Sequence, residues 1–160
     1  MKKSKSLVYG AVIAALYVIL TLISSLFGIS SGIIQLRLSE ALCVLPCFTP
    51  VAIPGLAVGC ALANLLTGAN AIDIIVGALA TLIGALLTRA LRKNRFLAVL
   101  PPILANAIII PFVLTLAYGL TEYSYLYLLA TVGLGEIISA GLLGQLVYQL
   151  VKKNQNALFG

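Results

Sequence analysis

Histidine is absent from this 160-residue chain, acidic residues number four, and charged residues of both signs make up only 9%. Without histidine, a metal site would need cysteines and carboxylates alone, a poor match to the usual ligand sets. Cys43, Cys47 and Cys60 all lie in apolar surroundings and read as small packing residues. No Ser or Cys has a recognisable base near it, so an intramembrane enzyme is disfavoured and no cofactor is implied. The scarcity of charge excludes a soluble domain, whose wet surface takes roughly 25% charged residues.

What the chain has instead is apolar length. Hydrophobic residues make up 62% of it, and its mean hydropathy is +1.16. At about 20 residues per crossing, six helices need roughly 120 residues, leaving short loops and two small tails. The expectation is one all-α membrane domain over residues 1–160, a six-helix polytopic bundle without room for an ATPase or soluble catalytic domain. Met1–Ser6 resembles the basic start of a signal peptide. However, the apolar run Leu7–Phe27 exceeds the usual h-region of about 7–15 residues and no A-x-A-like site closes it, so it reads as a retained first span.

The other clear crossings are 72–91, 96–118 and 125–151. Between 34 and 68 the chain is apolar but carries Pro46, Pro50 and Pro54, which interrupt helical hydrogen bonding. Two short spans, 34–48 and 51–66, fit better than one kinked span. Charge supports this choice, because cytoplasmic loops collect Lys and Arg. Six spans put Lys2, Lys3 and Lys5, then Arg89, Arg92, Lys93 and Arg95, then Lys152 and Lys153 on one face. Five would put the first cluster opposite the others. Both termini are therefore expected in the cytoplasm, with Arg37 the lone basic residue elsewhere. The net charge of +6 reflects this topology and attraction to anionic lipid; no aromatic stacking platform accompanies it, so nucleic acid is not an expected partner.

Ionisable groups inside a span are costly and point to function. Glu136 lies about 11 residues from Tyr125, or roughly 17 Å along a helix, and Asn106 lies roughly 18 Å from Tyr118. Equal depth on antiparallel neighbours lets the two meet, either as an interhelical hydrogen bond or as the lining of an outward-opening cavity. Gln35, Arg37 and Glu40 form a second cluster. In extended chain Gln35 and Arg37 share a face, Ser39 is a candidate cap, and Glu40 falls in the first helical turn. An internal Arg37–Glu40 ion pair is the structural alternative. Asp73 reads as a helix cap, and Asn64 as either ligand or structural residue. Tyr118, Tyr123, Tyr125 and Tyr127 fit an interfacial belt. Gly10-x3-Ala14 and Ala11-x3-Ala15 place two small-residue ridges on the first span, and Gly77, Thr81 and Gly84 do so on the fourth.

Several motifs together resemble the QueT family. They are Ile34-Gln-Leu-Arg-Leu-Ser-Glu-Ala-Leu42, Leu45-Pro-Cys-Phe-Thr-Pro50, Ile53-Pro-Gly55, Gly59-x4-Asn64, Asp73-x3-Gly77, Pro101-Pro-x3-Asn106 and Gly133-x-Gly-Glu136. The resemblance implies the substrate-binding (S) component of an energy-coupling factor transporter, importing a precursor of queuosine. A transmembrane coupling protein and two cytoplasmic ATPases would be its partners, docking on the small residues of the first span, here Ala11, Ala14 and Ala15. It also implies a ligand such as 7-aminomethyl-7-deazaguanine or queuine. The ring's paired N–H donors suit a carboxylate, its carbonyl needs a donor, and its ammonium wants a second carboxylate. Gln35, Arg37, Glu40, Asn64, Asn106 and Glu136 are the expected binding set, with the assignment of carboxylates to ligand ends left open. The remaining alternatives are an assembly subunit of a membrane complex, or an S component for another small nitrogen heterocycle.

Overall fold

The protein is represented by a computed structural model that describes residues 3–31, 33–155 and 158. Lys2, counted in the first basic cluster, lies outside the described residues. Among the described residues six helices make up the fold: α1 (Lys3–Leu26), a 3-10 helix (Leu38–Cys47), α2 (Ala52–Leu66), α3 (Ala71–Ala90), α4 (Leu100–Tyr118) and α5 (Tyr125–Lys153). α1, α3, α4 and α5 are long and apolar enough to cross a bilayer. Their exterior is greasy, with Leu7 77%, Leu116 75% and Leu126 73% exposed, whereas Glu40, Asn64 and Glu136 are at most 5% exposed. Such a distribution suits lipid outside and a polar centre within. The chain is a polytopic, all-α membrane protein.

The segment expected as the span 34–48 is shorter and wound differently. It is a ten-residue 3-10 helix carrying Pro46 inside it, and Ser39 to Pro46 are all buried. Proline has no N–H for an i−4 bond. Tight winding also suits the distance: ten residues rise about 20 Å as 3-10 helix but about 15 Å as α-helix. The segment touches α1, α2, α3 and α5 and forms the middle of the bundle. Around it α1 packs on α2, α2 on α3, α3 on α4, and α4 on α5. Arg89, near the end of α3, donates to the carbonyls of Pro46 and Cys47 at 3.0 and 3.2 Å, tying down the C-terminal end of the 3-10 helix.

Close approach is built from glycine. A Cβ at Gly55 would lie 2.9 Å from the Gly10 carbonyl oxygen, and one at Gly59 would lie 2.9 Å from Tyr17 Cβ and 3.0 Å from Ala14 Cα. α1 and α2 therefore run parallel in backbone contact, with Gly10 and Ala14 on this internal face. Pro111 lies inside α4, but three other prolines stand where a helix tolerates them. Pro54 falls in the first turn of α2 and Pro101 and Pro102 in that of α4, where the missing N–H would be unpaired anyway.

Two capping expectations change. Asn70, not Asp73, caps α3, accepting from Ile72 N at 2.9 Å. Asp73 is one turn inside, where its carboxylate accepts from Tyr118 Oη at 2.9 Å. Ser39 is not a cap either: Arg37 flanks the 3-10 helix without a side-chain cap, and Ser39 Oγ instead accepts from Thr21 Oγ1 at 2.8 Å.

Candidate functional site

Five of the expected residues converge on one buried space. Gln35, Arg37, Glu40, Asn106 and Glu136 line it with Cys60, Gly77, Thr81 and Ile110. The extended backbone at Arg37 (φ −109°, ψ 110°) delivers Gln35 and Arg37 to the same side, as the period-two reading expects. Gln35 is held by α5: a Cβ at Gly135 would collide with its carbonyl oxygen, so only glycine permits this contact. Glu136 follows at once, and immediately beyond it α5 changes to π-helix over Ile137–Leu143. Such wide turns are frequent at functional sites.

Asn106 Nδ2 donates to Glu136 Oε1 at 3.0 Å, so the two residues at matching depth do meet. The other oxygen, Glu136 Oε2, is buried with no hydrogen-bond partner among the described residues. Leaving a polar atom dry costs about 1–3 kcal/mol, more when it is charged. Glu40 is the contrast. Tyr17 donates its hydroxyl to Oε1, and Cys43 Sγ donates to Oε2 at 3.1 Å. The structural alternative, an internal Arg37–Glu40 pair, is not formed, and the two residues have separate partners. Arg37 donates from Nε to the Ser30 carbonyl and from Nη1 to Asn64 Oδ1, both at 3.0 Å. Asn64 does not line the cavity. It orients Arg37 while its own Nδ2 donates to the Asp73 carbonyl at 3.2 Å.

Tyr17 and Cys43 were not among the expected site residues. Tyr17 carried a signal, being a phenol in mid-span, far from the belt positions that tyrosines favour. Cys43 was read as packing. In a 3-10 helix residues i and i+3 eclipse one another, which sets its thiol beside Glu40. The free space here is about 10 Å³, room for a single water.

Of the ridge residues on α1, Ala11 and Ala15 are exposed, whereas Ala14 is buried against α2. An open groove of about 540 Å³ runs between α1 and α2 beside Ala11, walled by Leu7, Val51, Pro54 and Val58.

A greasy-surfaced bundle closed around carboxylates, amides and a guanidinium defines a polytopic membrane protein with a polar centre. Residues 7–153 match the family described as QueT transporter, and the chain belongs to that family, a transporter family and not a family of enzymes. The queuosine precursor transporter QueT of Lactococcus lactis subsp. cremoris (strain MG1363) is 41% identical over 102 residues. That match spans 60% of this chain and 60% of the relative's length. No solved structure matches the chain.

Proposed function

We propose that this chain is the substrate-binding component of an energy-coupling factor transporter that imports a queuosine precursor, 7-aminomethyl-7-deazaguanine or queuine. The observation that carries this reading is Glu136 Oε2, buried and unpartnered beside Gln35, Arg37 and Glu40. A deazaguanine presents N1–H and a 2-amino group side by side, and a carboxylate accepts two such parallel bonds. Arg37, Gln35 and Asn106 are donors within the same lining for the ring carbonyl. The printed function of the relative, a queuosine precursor transporter, supports the choice of heterocycle. A low-dielectric surround strengthens each bond.

The transport cycle needs partners. A transmembrane coupling protein and two cytoplasmic ATPases supply the energy, and exposed Ala11 and Ala15 beside the groove on α1 give the coupling protein a surface for close approach. Both termini lie in the cytoplasm, because Lys5, the Arg89–Arg95 stretch, Lys152 and Lys153 gather at one end of the bundle.

Binding of 7-aminomethyl-7-deazaguanine to the purified full chain in detergent tests the reading. Glu136→Gln should weaken that binding at least tenfold, about 1.4 kcal/mol, with helix content unchanged. A folded wild-type chain that binds no deazaguanine would end the proposal.

A further inference from the structure

The reading above leaves the ligand's ammonium without a partner. Among the described residues three acids are buried: Glu40, Asp73 and Glu136. Glu40 already accepts from Tyr17 and Cys43 on its two oxygens, and Glu136 faces the ring edge. Asp73 remains, and it lines a different space. That space is a chamber of about 220 Å³ between the α1 to 3-10 connection, the α2–α3 turn and the end of α4. Its walls include Ser25, Ser30, Arg37, Asp73 and Tyr118. By size it exceeds the cavity of about 150 Å³ that admits benzene in an engineered protein core.

The chamber adjoins the small cavity at Glu136. Arg37 lines both spaces. Gly77 lines the inner one, and a Cβ there would come within 3.3 Å of Asp73 Oδ1. One oxygen of Asp73, Oδ2, is engaged by Tyr118, and the other, Oδ1, is the one beside Gly77. The inner space alone does not hold a bicyclic ring, so a ligand must join the two by displacing Arg37 from Ser30 and Asn64.

We propose that the chamber is a second recognition compartment, in which Asp73 binds the ammonium on the ligand's arm while the ring edge lies on Glu136. This rests on the deazaguanine reading and adds to it. Selectivity for a charged arm comes from Asp73, and room for a larger hydroxylated arm, as in queuine, comes from the serine-lined wall.

The test compares two probes on the purified full chain: 7-aminomethyl-7-deazaguanine and 7-methyl-7-deazaguanine, which lacks the amine. Asp73→Asn should weaken the amine at least tenfold and the methyl compound less than threefold, whereas Glu136→Gln should weaken both. Ser25→Lys places an in-chain ammonium in the chamber from a half-buried position, and should reproduce the selective loss if Asp73→Asn does not fold. Equal losses for both probes, or no loss, in the folded variants would overturn the role of Asp73 while leaving the deazaguanine site standing. Failure of the wild type to bind either probe would overturn both readings.

Discussion

One methyl group in place of a hydrogen separates alanine from what position 135 requires. The Gln35 carbonyl oxygen lies in clashing distance of the place a Cβ would take. Alanine is the better helix former by about 1 kcal/mol, so Gly135→Ala should leave α5 helical or make it more so. It should nevertheless push the Gln35–Arg37 segment off α5 and weaken ligand binding at least tenfold, about 1.4 kcal/mol. Circular dichroism beside a binding titration separates the two effects; full affinity in the alanine variant would show that the segment is free to settle elsewhere. Glu136 and Asn106 were legible because a lone polar residue in an apolar run is conspicuous and its depth can be counted. Tyr17 and Cys43 were not, since apolar neighbours make either look like filling. Their partner is fixed by the winding of a helix some 20 residues away in the case of Tyr17, and by 3-10 eclipsing in the case of Cys43. Asp73 was visible as a polar helix start, but a cap and a cavity wall look alike until Asn70 is seen to do the capping.

At the level of elements, α1, α3, α4 and α5 follow from apolar length alone, because a bilayer demands it. The middle of the bundle does not follow so directly. Three prolines announced an irregular segment between 34 and 68, yet they do not distinguish a short α-helix from a 3-10 helix. That choice is made by the space between α1, α3 and α5, which no local pattern records. The glycines of α2 are the link from this packing to the site. Gly59 touches Ala14 and Tyr17, and Tyr17 in turn holds Glu40. An added methyl at Gly59 must move one of these, and overpacking of this kind costs about 1–3 kcal/mol. Gly59→Ala should therefore lower the unfolding temperature in detergent and also loosen ligand binding, through displaced Tyr17. An unchanged melting curve would mean that α1 and α2 slide apart at no cost, against the contact distances.

On the scale of the whole molecule, the proposed ligand binding and docking fall at opposite ends of the chain's long axis. Glu136, Arg37 and Asp73 lie toward the end where α1 finishes and α4 meets the start of α3 through Tyr118 and Asn70, 3.1 Å apart. Lys5, the Arg89–Arg95 stretch, Lys152, Lys153 and the groove beside Ala11 lie toward the other end, where Arg89 meets Pro46. If the basic end is cytoplasmic, a cysteine placed at Thr121 should react with an impermeant reagent from outside, and one at Asn94 should not. The reverse would invert the topology. The proposed docking then falls to the cytoplasmic half of α1, whose small residues differ in exposure. Ala11 and Ala15 are exposed, and their small size benefits only a helix that approaches from outside the chain. Ala14 is spent internally, with Gly59 against it. Tryptophan at Ala15, alone or with Ala11, should hold a coupling protein away and abolish ATP-driven uptake, while the isolated chain keeps near wild-type affinity for its ligand. Tryptophan at Ala14 should instead separate α1 from α2, so that the isolated chain itself melts early and binds poorly. Uptake in the reconstituted transporter, and affinity and melting of the isolated chain, together read the difference. Continued uptake with Ala15→Trp would remove α1 as the docking face, and early melting of that variant would mean that Ala15, like Ala14, belongs to the bundle's own packing.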